Sequence, residues 1–322
     1  MSVGENIKKR RKDLKLSQQD LADALGYKTR SSITKIEKGE TSISNDKLFS
    51  FANILNTSVE FLLNGSHDQT HHVIEDSLNA EPDNISEKHT KKCIAVLLAG
   101  GKYRVNSLNV PFQFVSVKEK PIIMYTMEVY QRHPLIDDIY VVCLDGWDDL
   151  IYNCVEKYNI SKFKKIIPAG ENGIKSVKNS VEWLSLTYNN YDIVILQEAT
   201  RPLIDFETIS NAIYCCKKNG SAIPFTYLED TTPFILNKQT QNITYIDAYS
   251  LISLQSPELY TLGNLKYSFI EATKINHELR ENNCSVFMHN IGKKLSFCNG
   301  SNNNLRIIHD NDLKLFEAIL NK

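Results

Sequence analysis

Apolar and polar positions follow two different patterns along the chain. Over residues 6–63, apolar side chains recur three or four positions apart in short runs, which predicts five short helices. From Cys93 onward, β-rich apolar runs alternate with helical patterns, which predicts a parallel sheet covered by helices on both faces. The predicted strands are 93–98, 139–144, 165–168 and 192–197, and the predicted helices between them are 122–132, 147–157 and 175–186.

A polar segment separates the two patterns. Residues 67–92 contain Pro82, few large apolar side chains and no sustained period, which is typical of a flexible tether. The four histidines of this segment lack the cysteine or carboxylate spacing of a metal site, so we favour a solvated linker. The sequence thus predicts a helical domain over residues 1–66, the linker, and a larger domain over residues 93–322.

Composition places the chain among ordinary globular proteins. Hydrophobic residues make up 42% and charged residues 23% of the 322 positions, a length sufficient for two domains. No apolar run approaches the roughly 18 residues of a membrane span, and the basic start lacks the apolar segment of a secretory signal. The seven cysteines include no CxxC pair, so we expect reduced thiols in a cytoplasmic protein that does not bind membranes.

Charge is divided unevenly between the two domains. Residues 1–66 carry 11 Lys and Arg against 8 Asp and Glu, whereas the rest of the chain carries 26 against 30. A small basic unit attached to a larger acidic one indicates that only the first meets a polyanion.

The third predicted helix has the chemistry to read DNA. Ile33 and Ile36 lie three positions apart and form its apolar face, while the positions around them are mainly Arg, Ser, Thr and Lys. Short hydroxyl donors and long cations suit base edges and phosphates. The second helix is preceded by Ser17, with Asp20 three positions later, a close variant of the capping box.

Residues 4–65 resemble the Cro/C1-type helix-turn-helix domain. The resemblance implies binding to a double-stranded DNA operator, with the third helix in the major groove. A helical bundle whose basic face is merely solvated, or binds protein, is the alternative. The implied groove-reading residues are Arg30, Ser31, Ser32 and Lys35, and the implied backbone contacts are Gln18 at a helix N-terminus, Lys38 and Thr41.

The first strand of the larger domain leads into small and then basic residues. Ala99, Gly100 and Gly101 end the apolar run, and Lys102 and Arg104 follow. Glycine lets main-chain N–H groups approach phosphate oxygens, and cations neutralise those oxygens. We therefore expect a phosphate-binding loop here, with a simple turn as the alternative.

Two further polar clusters lie near the ends of predicted strands. Glu198 and Arg201 follow one strand directly. Ser176 belongs to a glycine-rich stretch before a helix, where it is either a ligand contact or the helix N-cap. Ligands of open α/β sheets bind beyond the carboxyl ends of the strands, so we expect the three clusters to form one site.

In this order, the three clusters resemble the motifs of the sugar-phosphate cytidylyltransferases, a family that includes the methylerythritol-phosphate and ribitol-5-phosphate enzymes. The resemblance spans residues 93–320 and implies an α/β, Rossmann-like nucleotidyltransferase domain with a mostly parallel sheet. The loop departs from the family pattern, because it is one residue shorter and has Phe112 where the family has lysine. The implied nucleotide contacts are Ala99, Gly100, Gly101, Gln113 and Ser176.

The resemblance also implies catalytic and substrate-binding roles. The implied catalytic residues are Lys102, Arg104, Glu198 and Arg201, and Glu198, at the position of a family aspartate, would also hold Mg²⁺ in an active enzyme. The implied substrate contacts are Asp230, Thr231, Glu271 and Arg306, and the run 255–257 resembles a family Gln-Thr-Pro. Residues 223–254 resemble the arm through which family members dimerise, so we expect a homodimer.

Three functions are compatible with these motifs. The first is transfer of CMP from CTP to a sugar or polyol phosphate. The second is a transcriptional regulator whose degenerate transferase domain senses a nucleotide or sugar phosphate without turnover. The third is a purely structural role in dimerisation. Arg201 and Gln113 favour nucleotide binding, whereas Phe112 and the shortened loop argue against fast chemistry.

Overall fold

The computed structural model describes most of the chain. The described residues are 2–14, 16–25, 27, 29–41, 43, 47–48, 51, 54–55, 57, 62, 91–105, 109–228 and 231–321. The chain divides into two compact units, Met1–Glu87 and Lys88–Lys322.

The N-terminal unit begins with three helices, α1 (Val3–Asp13), α2 (Gln18–Ala24) and α3 (Arg30–Glu37). The Asp20 N–H donates to Ser17 Oγ at 3.0 Å and the Ser17 N–H to Asp20 Oδ2 at 2.8 Å, as the predicted capping box requires. Ile33 and Ile36 are buried, as their spacing predicted. The predicted fourth and fifth helices lie largely outside the described residues.

A central sheet organises the second unit. Its strands, with two short hairpins, are β1 (Cys93–Ala99), β2 (Ser116–Val117), β3 (Lys120–Pro121), β4 (Asp138–Cys143), β5 (Phe163–Pro168), β6 (Ile193–Glu198), β7 (Ser221–Tyr227), β8 (Phe234–Leu236), β9 (Ile243–Tyr245), β10 (Ile252–Leu254), β11 (Glu258–Thr261) and β12 (Phe297–Asn299). The spatial order is β10-β7-β11-β6-β1-β4-β5, and β12 pairs with β7. Neighbours from β6 to β5 run parallel, whereas β11 and β10 run antiparallel to the strands beside them.

Helices cover both faces of this sheet. They are α4 (Ile122–Arg132), α5 (Asp148–Lys157), α6 (Gly173–Leu184), α7 (Phe206–Asn219), α8 (Leu262–Lys274), α9 (Cys284–Asn290) and α10 (Asp310–Leu320). Alternate side chains of β1 enter two separate cores, Ala95 and Leu97 on the side of α4, α5 and α7, and Ile94 and Val96 on the side of α6, α8 and α9. Continuous apolar strands are typical of a doubly covered parallel sheet, and the predicted fold is confirmed. No helix within the described ranges has the length and apolar character to cross a bilayer.

The parallel strands end at one edge of the sheet. Ala99 of β1 lies beside Cys143 of β4, and Cys143 lies beside Pro168 of β5. On the other side of β1, Leu98 lies beside Glu198 of β6. The loops that follow these strands therefore open on the same side. The three polar clusters lie on these loops, as the sequence predicted.

An exposed hairpin extends from the part of the chain between β7 and β10. Strands β8 and β9 pair antiparallel, and their large apolar side chains are about half exposed. These side chains are Phe234, Ile235, Leu236, Ile243 and Tyr245. The hairpin lies within the segment that the sequence analysis assigned to a dimerisation arm.

Candidate functional site

The loop that follows β1, at Gly100 and Gly101, is held in place by the buried side-chain amide of Gln113. Gln113 is buried, and its Nε2 donates to the carbonyl oxygens of Ala99 at 2.8 Å and Gly101 at 2.9 Å. An amide held in this way fixes the loop rather than facing a ligand. Gln113 therefore shapes the loop, and its direct contact with a nucleotide stays a prediction.

The second loop, which follows β5, packs directly against the first. A Cβ on Gly100 would lie 2.9 Å from the Cβ of Ala169, so glycine is required for this approach. Ser176 is buried, and its hydroxyl accepts from the Gly170 N–H at 2.9 Å and donates to the Asn172 carbonyl at 3.0 Å. Helix α6 is capped by Asn172, whose Oδ1 accepts from the Lys175 N–H. Ser176 thus orders the loop, and it is not the N-cap that the alternative predicted.

Two exposed cations lie on the loop after Gly101. Arg104 Nη1 donates to the Asn109 carbonyl at 2.5 Å, which folds the loop back on itself. An ion pair with Lys175 lowers the pKa of the Glu171 carboxyl, and the charge of Lys102 adds to this effect. Lys102 therefore lies near the second loop. Both cations remain available to an anion at this edge of the sheet.

Phe112 occupies the position of the family lysine as a core residue. Its ring is 4% exposed and packs in a small cluster with Val105, Ile307 and Phe316. This cluster fastens the basic loop to the C-terminal helix α10. At the position of the family lysine, Phe112 therefore packs the loop against α10.

Glu198, at the end of β6, lies between two arginines. Its Oε2 accepts from Arg201 Nε at 2.7 Å, and its Oε1 pairs with Arg306 Nη2 at 2.7 Å. Arg201 is buried, whereas the side chain of Arg306 is 42% exposed. The structure thus brings together residues more than 100 positions apart in sequence. One carboxylate does not neutralise two guanidinium groups, so the cluster can attract an anion through Arg306.

Residues that the sequence analysis did not assign to the site hold this cluster in place. Ser256 Oγ accepts from the Glu198 N–H at 3.1 Å, and the Asn304 carbonyl accepts from Arg201 Nη1 at 2.7 Å. Asn304 Nδ2 in turn donates to the Ser256 carbonyl at 2.8 Å. Ser256 belonged to the Gln-Thr-Pro resemblance, but Asn304 carried no signal, because a lone asparagine in a polar run is typical of a loop.

A second carboxylate is buried close to the cluster. Glu258 accepts from the Ser285 N–H at 2.7 Å, from Ser285 Oγ at 3.0 Å and from the Tyr260 hydroxyl at 3.0 Å. Burial raises the pKa of Glu258 to about 6, the hydrogen bonds oppose the rise, and the charge of Glu198 adds to it. Its hydrogen bonds anchor the start of α9.

Of the remaining predicted substrate contacts, one cannot be placed and two are exposed. Asp230 lies outside the described residues, and Thr231 is exposed just beyond that gap. Glu271 is exposed on α8 and forms an ion pair with Lys293. Their contact with a substrate stays a prediction.

In proteins, Mg²⁺ is usually bound by one or two carboxylates together with substrate phosphates. Glu198 offers a hard oxygen ligand, but arginines occupy both of its oxygens. Within the described ranges, His, Cys, Asp and Glu form no group of three that could hold a metal. The described side chains therefore present no assembled metal site.

In the N-terminal unit, Gln18 belongs to a buried polar network. Arg11 and Glu37 form a buried ion pair at 2.6 Å, and Gln18 Nε2 donates to the same carboxylate at 2.8 Å. Thr34 Oγ1 donates to Gln18 Oε1 at 3.0 Å. This network joins α1, α2 and α3. A phosphate contact of Gln18, as predicted, has to coexist with these bonds. The sequence analysis did not predict the ion pair of Arg11 and Glu37.

The predicted groove-reading side chains of α3 lie outside its buried face. Arg30, Ser31 and Lys35 are exposed and Ser32 is half-buried. An open cleft beside them is lined by Ser32, Lys35 and Thr41 together with Tyr27 and Lys47. Lys38 and Thr41 are exposed at the end of the helix and beyond it. The face offers cations and hydroxyls while Ile33 and Ile36 point inward.

Each of the two units matches a known protein family. Residues 93–322 match the family model described as 2-C-methyl-D-erythritol 4-phosphate cytidylyltransferase, and residues 7–62 match the model described as helix-turn-helix. The chain is 35% identical over 230 residues to a ribitol-5-phosphate cytidylyltransferase of Lacticaseibacillus paracasei, covering 70% of this chain and 97% of that protein. It is 30% identical over 233 residues to a 2-C-methyl-D-erythritol 4-phosphate cytidylyltransferase of Clostridium botulinum, covering 72% and 99%.

The fold agrees with solved structures. A 4-diphosphocytidyl-2C-methyl-D-erythritol synthase from Anaerococcus prevotii superposes with a TM-score of 0.60 at 18% identity, covering 72% of this chain and 97% of that one. At this identity the likeness concerns the fold alone. With the matches in sequence, it shows that this chain belongs to the 2-C-methyl-D-erythritol 4-phosphate cytidylyltransferase family and carries a helix-turn-helix domain at its N-terminal end.

Proposed function

We propose that the second unit transfers CMP from CTP to a polyol phosphate of the ribitol-5-phosphate or methylerythritol-phosphate type. The observation that carries this proposal is the cluster of Glu198, Arg201 and Arg306 beside the glycine loop. The side chain of Arg306 in this cluster is partly exposed and offers a forked cation, which would bind the acceptor phosphate. The relatives named above supply the reaction class, and the two closely packed loops supply a surface for the nucleotide.

In the proposed reaction, a phosphate oxygen of the polyol phosphate attacks the α-phosphorus of CTP. A new phosphorus–oxygen bond forms, the bond between the α-phosphorus and the bridging oxygen breaks, and pyrophosphate leaves with the negative charge. Lys102 and Arg104 would meet the charge on the triphosphate and its leaving group. Arg306 would hold the acceptor phosphate in a forked hydrogen-bonded pair.

We keep Mg²⁺ as a predicted companion of CTP, bound by the triphosphate oxygens. The role of Glu198 as a metal ligand stays a prediction, because arginines occupy both of its oxygens.

A pyrophosphate-release assay with CTP, Mg²⁺ and separate polyol phosphates tests the proposal. Arg306→Ala should raise the KM for the acceptor by about 10- to 100-fold, because hydrogen bonds between charged groups contribute about 1.5–3 kcal/mol. The KM for CTP should change little. Arg132→Ala, on the exposed end of α4, is the matched control and should behave as wild type. Equal changes in both KM values would contradict the assigned role of Arg306.

A sensor without turnover is the second candidate, and Phe112 favours it. This side chain is buried where the family has a cation, so one charge that would meet the leaving pyrophosphate is missing. CTP binding without pyrophosphate release, with every acceptor tried, would establish this function instead.

For the N-terminal unit, we propose binding to a double-stranded DNA operator by a homodimer. The helix-turn-helix match and the exposed cations of α3 support DNA binding. The exposed apolar hairpin of β8 and β9 supports dimerisation of the second unit. If the segment between the units is a flexible tether, a ligand should change DNA affinity only by changing dimerisation. Operator binding and sedimentation measured on the same samples test this, and a ligand effect on DNA affinity in a fully dimeric protein would refute it.

A further inference from the structure

Two of the seven cysteines differ from the others in position and surroundings. Cys215 on α7 and Cys298 on β12 are half-buried, whereas the other five are buried. Both pack against the edge of the same core cluster, one from the helix and one from the strand. They are 83 positions apart in sequence, so only the packing of α7 on the sheet brings them together.

The sulfur of Cys215 lies in a polar contact network that includes Cys298. Asn219 Nδ2 donates to Cys215 Sγ at 3.5 Å, and Cys215 Sγ lies 3.8 Å from the carbonyl oxygen of Phe297, the residue directly before Cys298. Cys215 Sγ also lies 3.9 Å from the Ser221 carbonyl oxygen. The Phe297 contact puts Cys215 Sγ next to the backbone of Cys298, and both cysteines pack against the same core cluster, so the two thiols are neighbours.

This contact makes the two thiols unequal. The hydrogen bond from Cys298 lowers the pKa of Cys215 to about 6, against the effect of burial, and the Asn219 amide and the charge of Lys218 assist. The same hydrogen bond raises the pKa of Cys298, and burial adds to the rise. By contrast, burial raises the pKa of Cys216, the next residue on the helix, to about 12. A thiolate with a neighbouring thiol is the arrangement of a redox-sensitive pair.

We propose that Cys215 and Cys298 form a redox-active pair that small disulfides oxidise to an intramolecular disulfide. The Cys215 thiolate attacks one sulfur of a disulfide such as glutathione disulfide, whose S–S bond breaks and releases one glutathione thiolate. Cys298 then gives up its proton and attacks Cys215, and the second glutathione leaves. Two protein thiols are oxidised, one small disulfide is reduced, and both protons end on the two released thiols.

The proposed bond would join α7 to β12 close to the candidate site. The chain leaving β12 continues through Asn304, whose carbonyl holds Arg201, to Arg306. Oxidation would thus tie down the strand that leads into this segment. The modification can be tested without any assumption about the catalysed reaction, because it changes the mass of the protein.

The experiment treats the reduced full chain with glutathione disulfide at neutral pH and follows intact mass and digested peptides. The wild type should lose two hydrogen atoms and yield one peptide pair linked through Cys215 and Cys298. Cys298→Ser should stop at a stable mixed disulfide of glutathione on Cys215, because the second thiol is gone. Cys215→Ser should remain unmodified at Cys298. Cys216→Ser, adjacent on the same helix, is the matched control and should oxidise as wild type.

Several results would overturn the proposal. One is a bond that involves Cys216 in place of Cys298, and another is a stable mixed disulfide in the wild type. A wild type that keeps all seven thiols while its Cys215 remains accessible to iodoacetamide would also overturn it, as would a disulfide between two chains.

Discussion

The family pattern and the packing of the structure predict opposite effects on turnover when Phe112 is replaced by lysine. The pattern has lysine at this position, so sequence comparison alone predicts that Phe112→Lys supplies a cation to the leaving pyrophosphate and raises turnover. In the structure the ring is buried against Val105, Ile307 and Phe316. We therefore expect Phe112→Lys to destabilise the second unit and to lower activity.

The magnitude follows from the burial of the ring. Truncation of a buried phenylalanine to alanine costs about 3–5 kcal/mol. Lysine regains part of this through its methylene stem, and its ammonium can reach the open cleft that Phe112 shares with Arg104 and Asp310, where it meets one like and one opposite charge. A loss of about 2–4 kcal/mol corresponds to a fall in Tm of about 5–15 °C for a unit of this size.

Thermal and urea unfolding of the full chain, followed by CTP titration well below the Tm, measure this effect. Phe112→Leu is the matched control, since it keeps an apolar side chain and should lose only about 1 kcal/mol. A Phe112→Lys protein that unfolds like the wild type and turns over faster would refute the packing of the basic loop against α10.

Four other variants test the remaining groups. Burial raises the folded pKa of Glu258 from 4.5 to about 6, so the folded state binds the extra proton and Glu258 should lower the free energy of unfolding as pH rises from 4.5 through 6. Urea unfolding of Glu258→Gln should lack this contribution, and identical pH profiles would contradict it. Arg30→Ala and Lys35→Ala should each weaken operator binding by about 1–3 kcal/mol and relax sequence preference; equal losses on specific and random duplexes in gel-shift assays would argue against groove reading. Gln18→Ala should weaken binding to all duplexes and also lower the Tm of the N-terminal unit, because Glu37 loses a buried partner; unchanged melting would count against the network.

The periodicity of the sequence was sufficient for the parallel part of the sheet and for the helices between its strands. The predicted strand at 93–98 is observed at Cys93–Ala99, the predicted helix at 122–132 is observed at Ile122–Arg132, and the one at 175–186 begins earlier, at Gly173–Leu184. Apolar spacing predicts these elements because each strand is buried on both faces and each helix on one. Strands β2, β3 and β7 to β12 and helices α7 to α10 were not predicted. Among them, β8, β9, β10 and β12 have only three residues each, too few to leave a periodic signal.

The sequence by itself determined the order of the motifs, the parallel sheet and the edge at which its loops meet. Only the tertiary structure decided which side chains touch. It placed Arg306 on Glu198, turned Gln113 and Ser176 to their own loops, and buried Phe112 where a cation stands in relatives. The reason is physical: strand and helix patterns depend on neighbours within a few positions, whereas an ion pair or a buried ring depends on partners about 100 or more residues away that only the packed sheet brings within reach.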